Sequence, residues 1–201
     1  MPNHLRFAGQ PFEIQRDALE AIIRAEPVLM EVLEGLRDAA LPQSMLVAGA
    51  IYNQVWNSLT GRPALAGVND IDVFYFDETD LSYEAEDVVI KQLDARFSHL
   101  ALPVQVRNQA RVHLWFEQKF GQAVSPLGST LESLTRYASK THAVAAQLNA
   151  DGSMGIFAPF GLDLIFSFRI EPNHALNNRA GHDSKAARAK AIWPEVTVLP
   201  W

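Results

Sequence analysis

The chain has 201 residues, a formal net charge of -6 and no cysteine. The lack of cysteine excludes disulfides, thiolate metal sites and a cysteine nucleophile. The acidic balance argues against a partner such as long nucleic acid, which requires a basic surface. No apolar run reaches the roughly 18–20 residues of a membrane span, and the first residues lack the apolar core of a secretory signal. A cytoplasmic protein without membrane contact is therefore expected.

The first half of the chain alternates helical and strand patterns. Apolar residues at helical spacing predict helices, and short runs rich in β-branched and aromatic residues predict strands. In chain order, the predicted elements are helices at 12–25 and 28–39, a strand at 45–48, a helix at 50–59, a strand at 70–77 and a helix at 84–97.

The second half continues the alternation. Its predicted elements are strands at 103–107 and 110–116, or one long bent strand in their place, a helix at 129–148, a strand-rich region at 154–168 and a short helix at 185–192. This order predicts an α/β or α+β fold, a mixed sheet flanked by helices with a C-terminal α+β extension. We predict a single domain over 1–201, with a subdivision into a core at 1–120 and an extension at 121–201 as the alternative.

Two aspartates at the start of the clearest strand form the most informative pattern. Side chains alternate along a strand, so Asp70 and Asp72 project from one face, with backbone positions ~6.6 Å apart. Two such carboxylates can hold divalent ions, and hard oxygen ligands favour Mg²⁺ or Mn²⁺. Taken alone, the pattern is explained equally well by two polar residues that open a half-exposed strand.

A glycine follows the first predicted strand, in the segment LVAGAIYNQVWN. At a strand-to-helix turn, backbone N–H groups can approach phosphates, and a helix N-terminus favours negative charge. The candidate nucleotide contacts are therefore Gly49, Ala50 and Ile51, with Asn53 one turn into the helix. An ordinary tight turn and a polar helix surface are the alternatives.

The two segments together resemble the polymerase-β-like nucleotidyltransferase superfamily. Its pattern is an apolar residue, Gly and then Gly or Ser, followed by an acid–apolar–acid strand; the matching segments here are 47–50 and 69–73. The chain resembles an uncharacterised bacterial branch of that superfamily more closely. The segments that carry this second resemblance are LVAGAIYNQVWN, NDIDVFYFD, VRNQARVHLWFE, APFGLDLIF and the WP near the end.

The resemblance implies a metal-dependent nucleotidyltransferase. Such an enzyme moves a nucleoside monophosphate from an NTP to a hydroxyl acceptor, here a small molecule or a protein. It implies that Asp70 and Asp72 are catalytic residues that hold Mg²⁺ or Mn²⁺. The acceptor and the base of the nucleotide stay open.

The chain departs from the superfamily pattern at two places. Ala50 stands where relatives usually have Ser or Gly, and no acid occurs in 103–116, where relatives place a third carboxylate on a later strand. His113 is the best positional match for that third catalytic group. Its chemistry is compatible with the role, because neutral imidazole can accept a proton or bind a metal. Glu117 and Asp163 are the acidic alternatives.

Basic residues provide candidate contacts for a triphosphate. Arg111, together with Arg107, can neutralise phosphate through charge-assisted hydrogen bonds, and solvent-facing strand arginines are the alternative. The basic residues within 179–190 are explained by a solvated helix face, and contact with the acceptor or the nucleotide is the alternative. Because the third acid is missing, a catalytically degenerate nucleotide- or partner-binding module is the alternative function. A metal-dependent phosphohydrolase that uses the same aspartates is a further one.

Overall fold

The computed structural model describes residues 2–201, and this part of the chain contains eight α-helices and seven strands. The helices are Phe12–Arg24 (α1), Pro27–Ala39 (α2), Gly49–Thr60 (α3), Tyr83–Arg96 (α4), Val112–Phe120 (α5), Thr130–Leu134 (α6), Asp163–Phe166 (α7) and Arg179–Ile192 (α8). The strands are Met45–Val47 (β1), Ile71–Tyr75 (β2), Val104–Asn108 (β3), Ala145–Leu148 (β4), Met154–Phe157 (β5), Arg169–Ile170 (β6) and Thr197–Val198 (β7).

A five-stranded mixed sheet lies at the centre, in the order β3-β2-β1-β4-β5. The strand β1 is antiparallel to both of its neighbours, whereas β2 and β3 run parallel. Helices α2, α3 and α4 contact these strands. The strands β6 and β7 form a separate parallel pair. The predicted mixed sheet flanked by helices is confirmed.

The hydrophobic core draws on the whole length of the chain, from Leu19 to Val196. Its largest fully buried side chains include Trp56 and Trp193, whose rings pack edge to face with centroids 5.3 Å apart. Strands β4 and β5, from the second half, join the sheet of the first half. The subdivision at 120 stays a prediction.

The predicted strand at 110–116 is wrong, because this segment belongs to a short 3₁₀ turn and helix α5. The strand β3 ends at Asn108, whose side-chain Oδ1 accepts hydrogen bonds from the N–H groups of Asp77 and Ala110. This capping turns the chain out of the sheet, as Asn side chains commonly do.

Two further predictions from the second half need correction. The predicted helix at 129–148 is helical only in α6 and in a 3₁₀ turn at Lys140–His142, and its last residues form β4, which pairs with β1 inside the sheet. Pairing with the sheet overrides the helix propensity of the Ala- and Leu-rich segment. The strand-rich region at 154–168 contains β5 and then the short helix α7, which are separated by a turn in which Gly161 has a φ of +74°. No helix within residues 2–201 has both the length and the apolar character to cross a membrane.

Candidate active site

The register of β1 against β2 brings the predicted glycine turn to the predicted acid pair. Met45 lies opposite Phe74, and Leu46 lies opposite Val73. Because the two strands are antiparallel, the chain leaves β1 at the end where β2 begins. The N-terminus of α3 therefore lies beside Asp70 and Asp72, which follow it by about twenty positions in the sequence.

Backbone geometry shapes the turn between β1 and α3. Ala48 has φ 52° and ψ -112°, a left-handed conformation that a non-glycine residue rarely adopts. Its N–H donates to the Val144 carbonyl at 2.8 Å, and its carbonyl accepts from the N–H of Ile51 at 2.9 Å. The N–H groups of Gly49 and Ala50 belong to the first helical turn, where no intrahelical acceptor exists. Of the three predicted backbone contacts, Ile51 already has a protein partner.

Gly49 leaves open space at this turn. A Cβ atom added there would meet no heavy atom nearer than Asn53 Nδ2, at 4.0 Å. Asn53 is itself 3% exposed, and its amide group lies next to the turn. The positions of Gly49, Ala50 and Asn53 therefore allow a phosphate group to approach the helix N-terminus.

The two aspartates lie at the start of β2, on the face opposite the buried residues Ile71 and Val73. Asp70 Oδ2 accepts a hydrogen bond from Gln105 Nε2 at 2.8 Å, and Asp72 lies opposite Gln105 in the parallel register of β2 and β3. The neighbouring strand β3 thus presents the amide side chain of Gln105, and not a carboxylate, beside the acid pair.

Burial, and next the negative charge of Asp70, raise the pKa of Asp72. The basic side chains of Lys185 and Arg107 oppose this shift. Two carboxylates that repel one another in a partly desolvated site are stabilised by a divalent cation. This donor chemistry fits a hard ion such as Mg²⁺ or Mn²⁺. Within residues 2–201 no group of three or more acidic or histidine side chains could hold a metal, so substrate oxygens would have to complete the coordination.

Two tyrosines lie near enough to the acid pair for its negative charge to act on them. Tyr52, in the second turn of α3, stacks on His142 with ring centroids 4.7 Å apart. Burial raises the pKa of the Tyr52 hydroxyl, and both aspartates add to that shift. Tyr137 stacks on Phe74 with centroids 6.3 Å apart. Burial, and then the charge of Asp72, raise the Tyr137 pKa well above its usual value.

His142 is buried, and neither ring nitrogen has a hydrogen-bond partner in the described chain. Burial is the main cause that lowers its pKa to about 3, and the charges of Lys185, His182 and Arg188 lower it further. The imidazole is therefore neutral at physiological pH, and it presents an apolar face to Tyr52.

Helix α8 carries two basic residues for which the sequence favoured a solvated face: the charge of Lys185 acts on Asp72, and the charge of Arg188 acts on Tyr52 and His142. His182, which is fully buried, anchors the helix: Ser139 Oγ donates to Nδ1 at 2.8 Å, and Nε2 donates to the Leu199 carbonyl at 3.0 Å. Lys185 and Arg188 follow on one face of the helix, three residues apart. Lys185 Nζ lies 6.0 Å from the Tyr137 ring centroid. The i, i+3 spacing of these two basic residues places them on one helix face, but it does not indicate which part of the fold that face meets.

Several predicted residues have other surroundings in the structure. Arg111 is buried, pairs with Glu86 and donates from Nε to the Leu81 carbonyl at 2.9 Å. His113 lies on α5 instead of a strand, with a buried Nδ1 that has no partner in residues 2–201. Its role as the third catalytic group stays a prediction that only mutagenesis can test.

The acidic alternatives to His113 also lie outside the β3 position. Glu117 is exposed on α5. Asp163 starts α7 and accepts hydrogen bonds from the Gly9 N–H at 2.6 Å and from Gln15 Nε2 at 3.0 Å. These contacts give Asp163 a structural role in holding the N-terminal segment.

A mixed sheet with a helix N-terminus beside two aspartates is the arrangement that the resemblance to nucleotidyltransferases implies. A solution NMR structure described as revealing a CCA-adding enzyme head domain matches this chain with a TM-score of 0.73 and 23% sequence identity. The match covers 92% of this chain and 96% of that chain, and it confirms the polymerase-β-like fold. The family model described as Nucleotidyltransferase matches residues 34–198, so the chain belongs to that nucleotidyltransferase family. No curated protein matches the sequence.

Proposed function

We propose that the protein transfers a nucleoside monophosphate from an NTP to a hydroxyl acceptor, with Mg²⁺ or Mn²⁺ held by Asp70 and Asp72. The observation that carries the proposal is the β1–β2 register, which sets the open N-terminus of α3 beside both carboxylates. Family membership supports the nucleotidyl transfer chemistry. The metal, when bound, neutralises phosphate charge and polarises the phosphoryl oxygens.

The residues of the chain supply positioning and charge. In this proposal the N–H groups of Gly49 and Ala50 hold the β- and γ-phosphates, with Asn53 beside them, because the helix N-terminus attracts anions. Lys185 and Arg188 on α8, and Arg107 on β3, neutralise the remaining negative charge. Positioning and preorganised charge are the main contributions that a protein makes to phosphoryl transfer.

The reaction is an in-line displacement. The acceptor oxygen forms a bond to the α-phosphorus, and the bond from that phosphorus to the oxygen that bridges to the β-phosphate breaks. Pyrophosphate leaves with that oxygen, and the proton of the acceptor hydroxyl passes to water. The α-phosphorus must therefore lie near Asp70 and Asp72, between the helix N-terminus and the acceptor.

Calorimetry with each Mg²⁺–NTP tests the site. We expect the wild-type protein to bind at least one Mg²⁺–NTP, and the Asp70→Asn/Asp72→Asn variant to lose that binding. The matched control is Asp17→Asn/Asp94→Asn, which removes two exposed acids elsewhere and should leave the affinity unchanged. Equal binding by the wild type and the site variant would show that the assignment is wrong.

A catalytically degenerate nucleotide-binding module is the second candidate. Gln105, an amide opposite Asp72, favours it, because relatives have a third carboxylate on a neighbouring strand. This candidate predicts Mg²⁺–NTP binding that depends on Asp70 and Asp72 but no pyrophosphate release with any hydroxyl acceptor. The variant Gln105→Asp distinguishes the active transferase from the degenerate module. Pyrophosphate release by this variant, together with none by the wild type, would favour the degenerate module.

A further inference from the structure

A cavity opens on the β3 side of the acid pair. It encloses about 250 Å³, slightly below the roughly 300–1,000 Å³ of common small-molecule sites. Phe74, which lines it together with Tyr137, lies two residues beyond Asp72 on the same face of β2. None of the described residues that line the cavity comes from β1 or α3. The cavity and the helix N-terminus therefore flank the acid pair from different sides.

The outer wall of the cavity is apolar and aromatic. Helix α5 contributes Trp115, Phe116 and Phe120, and the segment that follows contributes Val124 and Leu127. No residue of α5 is buried, and Phe120 is 51% exposed. Concave apolar surface that solvent reaches is typical of a ligand site, because a ligand removes that surface from water.

The charged residues that line the cavity are all basic. Arg107, Arg136 and Lys185 line it, and no Asp or Glu does within the described chain. Glu132 pairs with Arg136 at 2.9 Å, which leaves Arg107 and Lys185 as the dominant charges. Both also act on the ionisation of Asp72, so their charges lie close to the acid pair as well as to the cavity.

The chemistry of transfer assigns a side to each substrate. In an in-line displacement the attacking and leaving oxygens lie on opposite sides of the phosphorus. In the proposed function, pyrophosphate leaves at Gly49 and Ala50, on the β1 side. The acceptor hydroxyl must then approach from the β3 side, where the cavity lies.

We propose that this cavity holds the acceptor, and that the acceptor is a small aromatic or similarly apolar hydroxyl compound without positive charge. The role of the ligand as acceptor rests on the proposed function. The chemical class of ligand that the cavity prefers is argued from the lining residues alone. The aromatic wall selects the apolar body, and the basic groups repel cationic compounds.

Binding of matched probes without nucleotide tests the cavity directly. 4-Hydroxyphenylacetate and tyramine share a phenol ring and differ in the sign of charge, and kanamycin is a polycation with hydroxyl groups. In ligand-observed NMR titrations, we expect 4-hydroxyphenylacetate to bind roughly three- to fivefold more tightly than tyramine, and kanamycin not to bind. No binding of 4-hydroxyphenylacetate, or tighter binding of either cationic probe, would overturn the inference.

Two exposed residues of α5 provide matched variants. Phe120 lines the cavity, whereas Leu114, which is 54% exposed, does not. Phe120→Ser should weaken 4-hydroxyphenylacetate binding roughly three- to tenfold, since an aromatic contact is lost, and Leu114→Ser should leave it unchanged. Equal weakening by both variants would assign the effect to the helix as a whole and contradict the cavity.

The same protein samples separate the two proposals. If Mg²⁺–NTP binding survives Asp70→Asn/Asp72→Asn, the proposed function fails whatever the phenolic probes do. If nucleotide binding behaves as expected but Phe120→Ser and Leu114→Ser give the same probe affinity, only the cavity inference fails. Detection of a nucleoside monophosphate ester of 4-hydroxyphenylacetate by mass spectrometry, reduced in Phe120→Ser and not in Leu114→Ser, would support both.

Discussion

The two sides of the acid pair differ in how firmly the fold holds them. On the β1 side, nearly every residue of α3 is buried, and Trp56 donates from Nε1 to the Ile165 carbonyl at 2.8 Å. On the β3 side, α5 has no buried residue and presents aromatic rings to solvent. The proposed phosphate site thus stands on rigid core elements, whereas the proposed acceptor cavity has a wall that sequence change can alter at little cost. Such a difference would allow the transfer reaction to stay the same while the acceptor specificity changes.

The largest expected effect lies at the point where the two sides meet. Asp70→Asn/Asp72→Asn should lower the rate of nucleotidyl transfer by roughly 10³-fold or more, because charge stabilisation of the transition state is lost. Pyrophosphate release measures the rate. Phe120→Ser should instead change the acceptor dependence and leave Mg²⁺–NTP affinity intact. Retained activity in the double variant would contradict the central role of the acid pair.

Stability should separate the two sides next. Trp56 is fully buried, so Trp56→Ala should lower the free energy of unfolding by about 3–5 kcal/mol. Trp115, on the cavity wall, is only partly buried, so Trp115→Ala should cost about 1 kcal/mol. Urea unfolding measures both. Equal losses would show that the wall is as firmly packed as α3.

Gly49→Ala sharpens the assignment of the phosphate side. A Cβ there meets no atom closer than 4.0 Å, so stability should stay within about 1 kcal/mol of wild type. The added methyl group would occupy space that the phosphates need, and Mg²⁺–NTP affinity should fall about tenfold. Calorimetry and thermal unfolding measure the two effects.

Gly35→Ala is the control for Gly49→Ala. Its Cβ would collide with the Phe97 ring, so it should destabilise the fold without a specific effect on nucleotide affinity. Unchanged nucleotide affinity in Gly49→Ala would show that the turn does not contact the phosphates.

The smallest effect is a pH dependence of stability. Burial, followed by the charge of Asp70, raises the pKa of Asp72 above the usual value of an aspartate. Between the usual pKa of an aspartate and the raised pKa of Asp72, the folded protein therefore holds a proton that the unfolded chain has lost. The free energy of unfolding falls as pH rises through this window and stays lower above it. Asp72→Asn lacks this effect. As pH rises through the window, the free energy of unfolding of this variant should increase relative to that of the metal-free wild type. Denaturant titrations at several pH values measure this difference. A difference that does not change with pH would contradict the prediction.

The sequence predicted the β1 side better than the β3 side, for physical reasons. The run of β-branched and aromatic residues in β2 and the glycine after β1 are local signals, and both kept their predicted form. Residues 110–116 form a turn and a helix instead of a strand because Asn108 caps the turn. Asn108 lies between two apolar stretches, so the sequence pattern does not show which of them it belongs to. The assignment of 145–148 depended on pairing with β1, a partner a hundred residues away.

The candidate site shows the same limit. Asp70, Asp72 and Gly49 could be selected because their spacing within strand and turn patterns is itself chemical information. Lys185, Arg188 and the cavity could not be located from the sequence, since their positions depend on the packing of α8, which His182 anchors to Ser139. The surroundings of Arg111 depended on Glu86, a partner that no pattern in the sequence indicated.

The central place of β1 has a consequence for the order of synthesis. Because β1 pairs with β2 on one side and with β4 on the other, a nascent chain that has not reached residue 145 carries one row of unsatisfied backbone groups beside buried apolar residues. Such an open edge invites association with other chains. A truncated chain of residues 1–120 should therefore self-associate, and addition of a fragment that carries 121–201 during refolding should suppress the aggregation.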